Sequence, residues 1–331
     1  MDGKRGTILI TTLWILALLT LLAVGIGTRI GIDIKLIGFS LNGLKAHYIA
    51  KAGILKAMVL IEEDGSGPLD SLNEKWSSGY DSDEEEYLLK EIPLGEGSFC
   101  VSYEFGQDEE GKAIRMYGAS DEGAKININT ASPDMLSLLP GFSSEIVAAV
   151  MDWRDEDTSE SDYLGARGTE DSYYKEELEN PYDCKDAPFS VKEELLLVKG
   201  VTDDVYEGVK DLITVYGEDS KININTVCVD VLNALIGQGE TDERGSKIIK
   251  ERNGFDDLPG TEDDNVIRDI KELAAKYTLS EDQMKYFKMN TDIFRIHSLG
   301  QVRDGKVKKT VEVVVKRIDR DKTEILFYYE D

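Results

Sequence analysis

The chain has 331 residues, of which 41% are apolar and which include 15 Tyr and 9 Phe; this excludes a disordered tail and leaves room for two or three compact domains. Its 38 Lys and Arg stand against 65 Asp and Glu for a net charge of −27, a balance that repels nucleic acid and attracts cations. Up to residue 30 the only charges are Asp2, Lys4, Arg5 and Arg29, so everything beyond carries −29. Cys100, Cys184 and Cys228 form no CxxC, and one disulfide with a free thiol or three separate thiols both fit.

The first element is a membrane span. After MDGKRG, residues 6–28 run 23 positions without a charge. As a helix they extend roughly 34 Å, enough to cross the hydrocarbon layer. Lys4 and Arg5 favour the cytoplasmic side and place the chain after Arg29 outside. Beyond the span, Leu44, Tyr48, Ala52, Leu55 and Val59 recur at helical spacing and predict the packed stripe of the same helix. Asp64-Gly65-Ser66-Gly67-Pro68 ends it. A plain N-terminal anchor is the simplest reading. Yet a short basic leader ending in Gly6, an apolar helix and a globular head together resemble a type IV pilin-like precursor. The resemblance implies cleavage by prepilin peptidase between Gly6 and Thr7 and N-methylation of Thr7. The fifth mature residue, a Glu in most pilins, is then Thr11.

Next comes a repeat. KININT stands at 125–130 and again at 221–226, opening KININTASPDMLSLLPGF and KININTVCVDVLNALIGQ. In each copy Ile alternates with Asn, suiting a short extended entry. Thr130 and Thr226 are expected to N-cap the following helices. Met135, Leu136 and Leu139, matched by Val231, Leu232 and Leu235, supply the apolar stripes. Second helices are expected over 145–154 and 245–252, then acidic stretches containing Gly168-Thr169-Glu170-Asp171 and Gly260-Thr261-Glu262-Asp263. Helical stretches at 191–198 and 266–277 follow. The unit reads as helix-hairpin-helix, acidic insert, helix-hairpin-helix, written twice. Strands lie outside it, at 98–105, 112–117, 293–297, 310–317 and 324–329.

The fold class expected is therefore α+β. A pilin-like long helix with an antiparallel sheet carries an inserted all-α domain of two duplicated helix-hairpin-helix (SAM-like) units. Its parts are a leader at 1–6, the transmembrane helix at 7–28, the pilin-like helix and first strands at 29–120, helical repeats at 121–220 and 221–292, and C-terminal strands at 293–331. The leader, Thr11, KININTAS and the hairpin LLLVKGV make the chain similar to the minor pseudopilin K family of type II secretion. That resemblance implies a subunit at the pseudopilus tip, which helps initiate assembly and caps the pseudopilus during export. It also implies an inner-membrane, single-pass protein with a periplasmic head, partnered by other minor pseudopilins. A membrane-anchored DNA-uptake receptor and a type IV pilus minor pilin are the alternatives.

The residues weigh against DNA. Helix-hairpin-helix units grip phosphate through hairpin N–H groups, but Phe142-Ser143-Ser144-Glu145 and Val201-Thr202-Asp203-Asp204 put carboxylates at those helix starts. Catalysis has little to work with: His47 and His297 are the only histidines, and HExxH, GxSxG and P-loop motifs are lacking, so no enzyme is expected. The acidic inserts suit Ca²⁺, which takes six to eight oxygens at flexible angles, although a solvated loop explains them equally. The resembled family carries structural calcium in this insertion. The expected ligands are Asp155, Asp157, Glu170 and Asp171, with Glu262, Asp263 and Asp264 as a second site.

Overall fold

A computed structural model describes residues 3–65, 67–107, 111–237, 242–319 and 322–331, with side chains from Ile8 onward. Helix α1 (Gly3–Asp64) runs through both the span and the head. It is about 93 Å long at 1.5 Å per residue. Among the described residues it is the one helix long and apolar enough to cross a membrane, and its apolar stretch is exposed. Within the span Thr11, Thr12, Thr20 and Thr28 donate their hydroxyls to the carbonyls of Ile8, Leu9, Ala17 and Gly25. Such back-bonding satisfies polar groups that lipid cannot.

The second half of α1 lies on an antiparallel sheet. Its strands are β1 (Ile92–Leu94), β2 (Gly97–Val101), β3 (Ser120–Asp121), β4 (Ile293–Val302), β5 (Val307–Asp319) and β6 (Lys322–Glu330). The order across it is β6-β5-β4-β2-β1, with β3 also paired to β4. The C-terminal strands are longer than the sequence pattern suggests, because Leu299, Gly300 and Gln301 keep pairing with Thr310, Lys309 and Lys308 despite weak strand propensity. The strand expected over 98–105 is broken at Ser102, whose N–H donates to the His297 carbonyl. Tyr103–Gln107 beyond it pairs with Ala113–Met116.

The face of α1 that packs is not the stripe read from sequence. Leu44, Tyr48 and Leu55 are 53%, 62% and 62% exposed, and Val59 is exposed as well. Ala46, Ile49, Ala50, Ile54, Ala57, Leu60 and Ile61 are buried instead, against Phe99, Val101, Phe294, Ile296, Val313 and Val315. The reason is steric. A β-carbon at Gly300 would fall inside the Ala46 carbonyl oxygen and 2.5 Å from the Ala50 nitrogen, and one at Gly53 would lie 2.9 Å from Phe99 Cδ2. Only a small-residue face lets the helix and sheet backbones approach this closely.

Between β3 and β4 the chain builds a second core, reaching from Ile126 to Phe287. Its helices are α2 (Pro133–Leu136), α3 (Ser144–Arg154), α4 (Asp171–Glu176), α5 (Asp203–Val209), α6 (Val229–Ile236), α7 (Arg244–Arg252), α8 (Ile270–Tyr277) and α9 (Glu281–Lys285). Residues Lys192–Leu197 form a 3-10 turn instead of an α-helix.

The two KININT copies make matching contacts. Ile126–Asn127 pairs in parallel with Ile213–Thr214, and Ile222–Asn223 with Phe287–Lys288. Asn129 exchanges two hydrogen bonds with the Phe189 backbone, as Asn225 does with Ile267. Arg154 donates to the Ile128 and Ala131 carbonyls, and Arg252 to those of Ile224 and Val227. The partners Phe189 and Ile267, or Arg154 and Arg252, do not keep the interval that separates the hexapeptides, so the Asn side chains and the bonds they make are what the motif preserves physically. They staple a buried chain whose backbone groups would otherwise lack partners.

The threonines do not cap. Ser132 accepts from the Met135 N–H at the start of α2, while Cys228 precedes α6 without a side-chain cap. An extra turn after the motif, closed by Ala131 N–H to the Asn127 carbonyl, displaces Thr130 from the cap position. Thr226 instead donates to the buried Asp121 carboxylate, 2.5 Å away.

Candidate metal centre

The acidic cluster is assembled by α3 and the loops around it. Ser143 caps α3 at its start, and buried Ile146, Val147, Val150 and Trp153 seat it in the helical core. Trp153 is edge-on to Tyr174 of α4 and stacked on Phe189, which fixes the end of α3 against the next segments. Asp155 is the C-cap residue of α3 and Glu170 the residue before α4. The intervening loop folds back on the helix. Ser161 N–H donates to Asp152 Oδ1 at 2.8 Å, and Gly168 N–H donates to the Ser161 carbonyl. Gly168 packs directly on Asp152, where a β-carbon would be 2.6 Å from its carboxyl carbon.

Carboxylate oxygens of Asp155, Asp157 and Glu170 lie within 4.8 Å of one another. Glu170 also groups at that distance with Asp186 and the Cys184 sulfur. Both oxygens of buried Glu170, and one each of Asp152, Asp155 and Asp186, have no hydrogen-bond partner. Unpartnered buried carboxylate oxygens from four residues on three segments would be costly unless a cation or protons compensate them. Accordingly burial, reinforced by Asp152, Asp186, Asp155 and Asp157, pushes the Glu170 carboxyl up to about 7. Asp152 is raised by burial, and Asp155 by burial and then Asp157. The Cys184 thiol is pushed up to about 12 by burial and Asp186, so it remains protonated. An all-oxygen donor set with a neutral thiol beside it fits a hard cation better than zinc.

Asp171 is not among the convergent groups. Its Oδ1 accepts from the Cys184 N–H at 2.9 Å, and its Oδ2 pairs with Lys175 at 2.7 Å. Asp186 joins instead, and Asp152 lies near Glu170 with one buried oxygen unpartnered. Nothing local in the sequence signalled Asp186, which sits on the far side of α4 in a left-handed conformation. Asp152 carried a faint signal, a carboxylate one turn before Asp155 among apolar helix residues.

The second acidic stretch is tied to its own backbone. Asp263 Oδ2 accepts from the Phe255 and Asp256 N–H groups, and its Oδ1 from the Thr261 hydroxyl. Asp264 accepts from Gly260 N–H at 2.7 Å, while Glu262 points outward and is exposed. Burial pushes Asp264 up to about 6, with Arg252 pulling the other way. These carboxylates hold a loop and do not form a metal-sized group among the described residues.

At the other sites read from sequence, Gly6 and Thr7 are placed as helical backbone, and their side chains lie outside the described residues. Thr11 is exposed on α1. His47 approaches Glu330 at 3.6 Å, and His297 lies in β4 opposite Glu312.

Comparison with known proteins falls on one family. Residues 128–218 match the family model described as type II secretion system (T2SS), protein K. Type II secretion system protein K of Pseudomonas aeruginosa is 27% identical over 274 residues, covering 76% of each chain. The fold matches a chain of the crystal structure of the GspK-GspI-GspJ complex from the enterotoxigenic Escherichia coli type 2 secretion system. There the TM-score is 0.57 at 17% identity, over 92% of this chain and 99% of that one. Family model, relative and fold agree on what this chain is similar to: type II secretion system protein K, with the family's own domain matched over residues 128–218.

Proposed function

We propose that this minor pseudopilin sits at the tip of the pseudopilus, helps start its assembly and caps it during export. The observation that carries the reading is α1: its small-residue face is used up by the sheet, while Leu44, Tyr48, Leu55 and Val59 remain outside as a second apolar face continuous with the span. Such a face suits the long helices of neighbouring pilin-like subunits. The solved relative lies in a complex with GspI and GspJ, which supports other minor pseudopilins as partners here. Thr11 brings no carboxylate to pair with a subunit above, and the helical insertion, read as two SAM-like helix-hairpin-helix units, would obstruct further stacking. Prepilin peptidase would cut after Gly6 in the inner membrane, Thr7 would be N-methylated, and the head would face the periplasm. The part is structural, with neither nucleic acid nor a reaction in it.

Co-expressed with the other minor pseudopilins and an active peptidase, the full chain should co-purify with them and begin at Thr7 by intact mass. The pair Tyr48→Asp and Leu55→Asp should lower recovery of the complex at least tenfold with the monomer still folded. Undiminished recovery would remove α1's outer face from the interface.

Calcium is the proposed structural ligand, held by Asp155, Asp157, Glu170 and Asp186, with Asp152 close by. It would offset the mutual repulsion of these groups and tie the end of α3 to α4. Binding only the folded state, it should stabilise by about 2.7 kcal/mol at a hundredfold excess over Kd. Millimolar Ca²⁺ should therefore raise the melting temperature more than equal Mg²⁺, which demands octahedral geometry. Glu170→Gln should abolish the difference and Asp171→Asn should leave it. The same Ca²⁺ shift in Glu170→Gln would mean only that a strongly acidic surface is being screened.

A further inference from the structure

On a strongly acidic protein, the turn joining β4 to β5 is a basic exception. It reads Arg303-Asp304-Gly305-Lys306-Val307-Lys308-Lys309, with four cations to one carboxylate. Arg303, Lys306 and Lys308 are exposed, and among the described residues none of the four enters an ion pair. Four cations against the single carboxylate of the turn leave this tip net positive. Asp304 in the turn and Asp331, whose N–H donates to the Thr310 carbonyl beside Lys309, offset part of that charge, while two further acids on adjoining elements have partners of their own. Glu96 in the β1–β2 turn pairs with Lys45 at 2.5 Å, and Glu330 at the end of β6 takes the Tyr328 hydroxyl at 2.9 Å.

The tip points along α1 toward the span. As β4 proceeds, its contacts on α1 step backward, from Gly53 beside Ser298 to Ala46 and Ala50 beside Gly300. The turn therefore lies at the end of the sheet nearest the membrane. From Arg29, the first charge after the apolar run, to Lys45 is about 24 Å of helix. The two strand residues and turn beyond Gly300 recover roughly 8 Å of that. Head groups occupy about 6 Å above the hydrocarbon. The remaining distance of about 10 Å is spanned by an extended Lys or Arg stem and one Debye length of about 8 Å. The usual tilt of a spanning helix shortens it further.

We propose that the β4–β5 turn, through Arg303, Lys306 and Lys308, rests on anionic phospholipid head groups before assembly and holds the acidic head at a fixed tilt over the membrane. The overall charge repels that surface, so this turn sets which edge of the head comes down. It rests on the reading of α1 as a membrane span. Extraction into a pseudopilus would have to break the contact, which makes it a brake on the unassembled subunit.

The test is amine acylation, read by peptide mass spectrometry, of the native full chain in nanodiscs of phosphatidylcholine alone or with a third phosphatidylglycerol. Lys306 and Lys308 should label roughly fivefold more slowly in the anionic discs at low salt. Lys271 of α8, far from the span, should label at one rate in both. About 0.5 M NaCl should erase the difference. Equal labelling of Lys306 and Lys308 in both discs, or an equal slowing of Lys271, overturns the proposal. So does protection that appears only when another minor pseudopilin is added, since the turn is then a protein contact. Failure of the chain to enter nanodiscs at all would instead strike the membrane-span reading.

Discussion

Replacing Arg317 with alanine is expected to cost the folded chain about 3 to 5 kcal/mol near pH 8, the range for removing one partner from a buried charge cluster. Arg317 lies in β5 and is 5% exposed. Its guanidinium reaches Asp64 at the end of α1 at 2.9 Å, Asp70 in the following loop at 2.5 Å, and the Thr291 carbonyl at 2.8 Å. It also stacks over Phe294 at 5.0 Å. Asp70 in turn accepts from the Thr291 N–H, and its carbonyl accepts from Asn223 of the second KININT copy. One side chain thus joins long helix, sheet and helical insertion. Burial and then Asp70 push the Asp64 carboxyl up to about 6 even with Arg317 pulling it down, and Asp70 is itself raised by burial. A carboxyl raised above its unfolded value binds protons in the folded state first, so stability rises as pH falls through the folded pKa. Without Arg317 both groups rise further. The deficit of the variant should therefore shrink between pH 8 and pH 5, measured by urea titration of the full chain in detergent. A deficit independent of pH would assign the loss to packing over Phe294 and not to stranded carboxylates.

Gly300→Val is the second large effect, expected to exceed about 3 kcal/mol. The obstacle to its side chain is the Ala46 carbonyl and Ala50 nitrogen of α1, backbone atoms that cannot rotate aside. The helix would have to lift from β4, opening the core around Ile49, Phe99 and Val302. Gly208→Ala is the matched control. It lies in α5 with nothing within 4 Å of a new β-carbon, so it should be neutral or stabilise by up to about 1 kcal/mol. Comparable losses in both variants would mean that general glycine chemistry, not the helix–sheet approach, governs Gly300.

Much of this protein was determined by the sequence alone, wherever the signal is local. An uncharged run of this length gives a helix long and apolar enough to cross a membrane, because lipid accepts no unpaired charge. The repeated KININT marks two equivalent entries because paired Asn side chains must staple buried backbone. The density of carboxylates around 155–171 marks where the acidic cluster forms. Tertiary structure decided what depends on a second surface. The stretch of α1 after the span is apolar on more than one face, so periodicity could not tell the packed face from the free one. Contact with β4 chose the side bearing Ala46, Ala50, Gly53 and Ala57, because only there can the backbones close. Asp171 lies in the acidic motif yet turns to Lys175 and Cys184. Asp186, outside the motif, arrives at Glu170 because α4 and Trp153 fold that segment back. Spacing along a chain fixes which carboxylates are near in sequence; packing of the helices fixes which oxygens share a volume small enough for one ion.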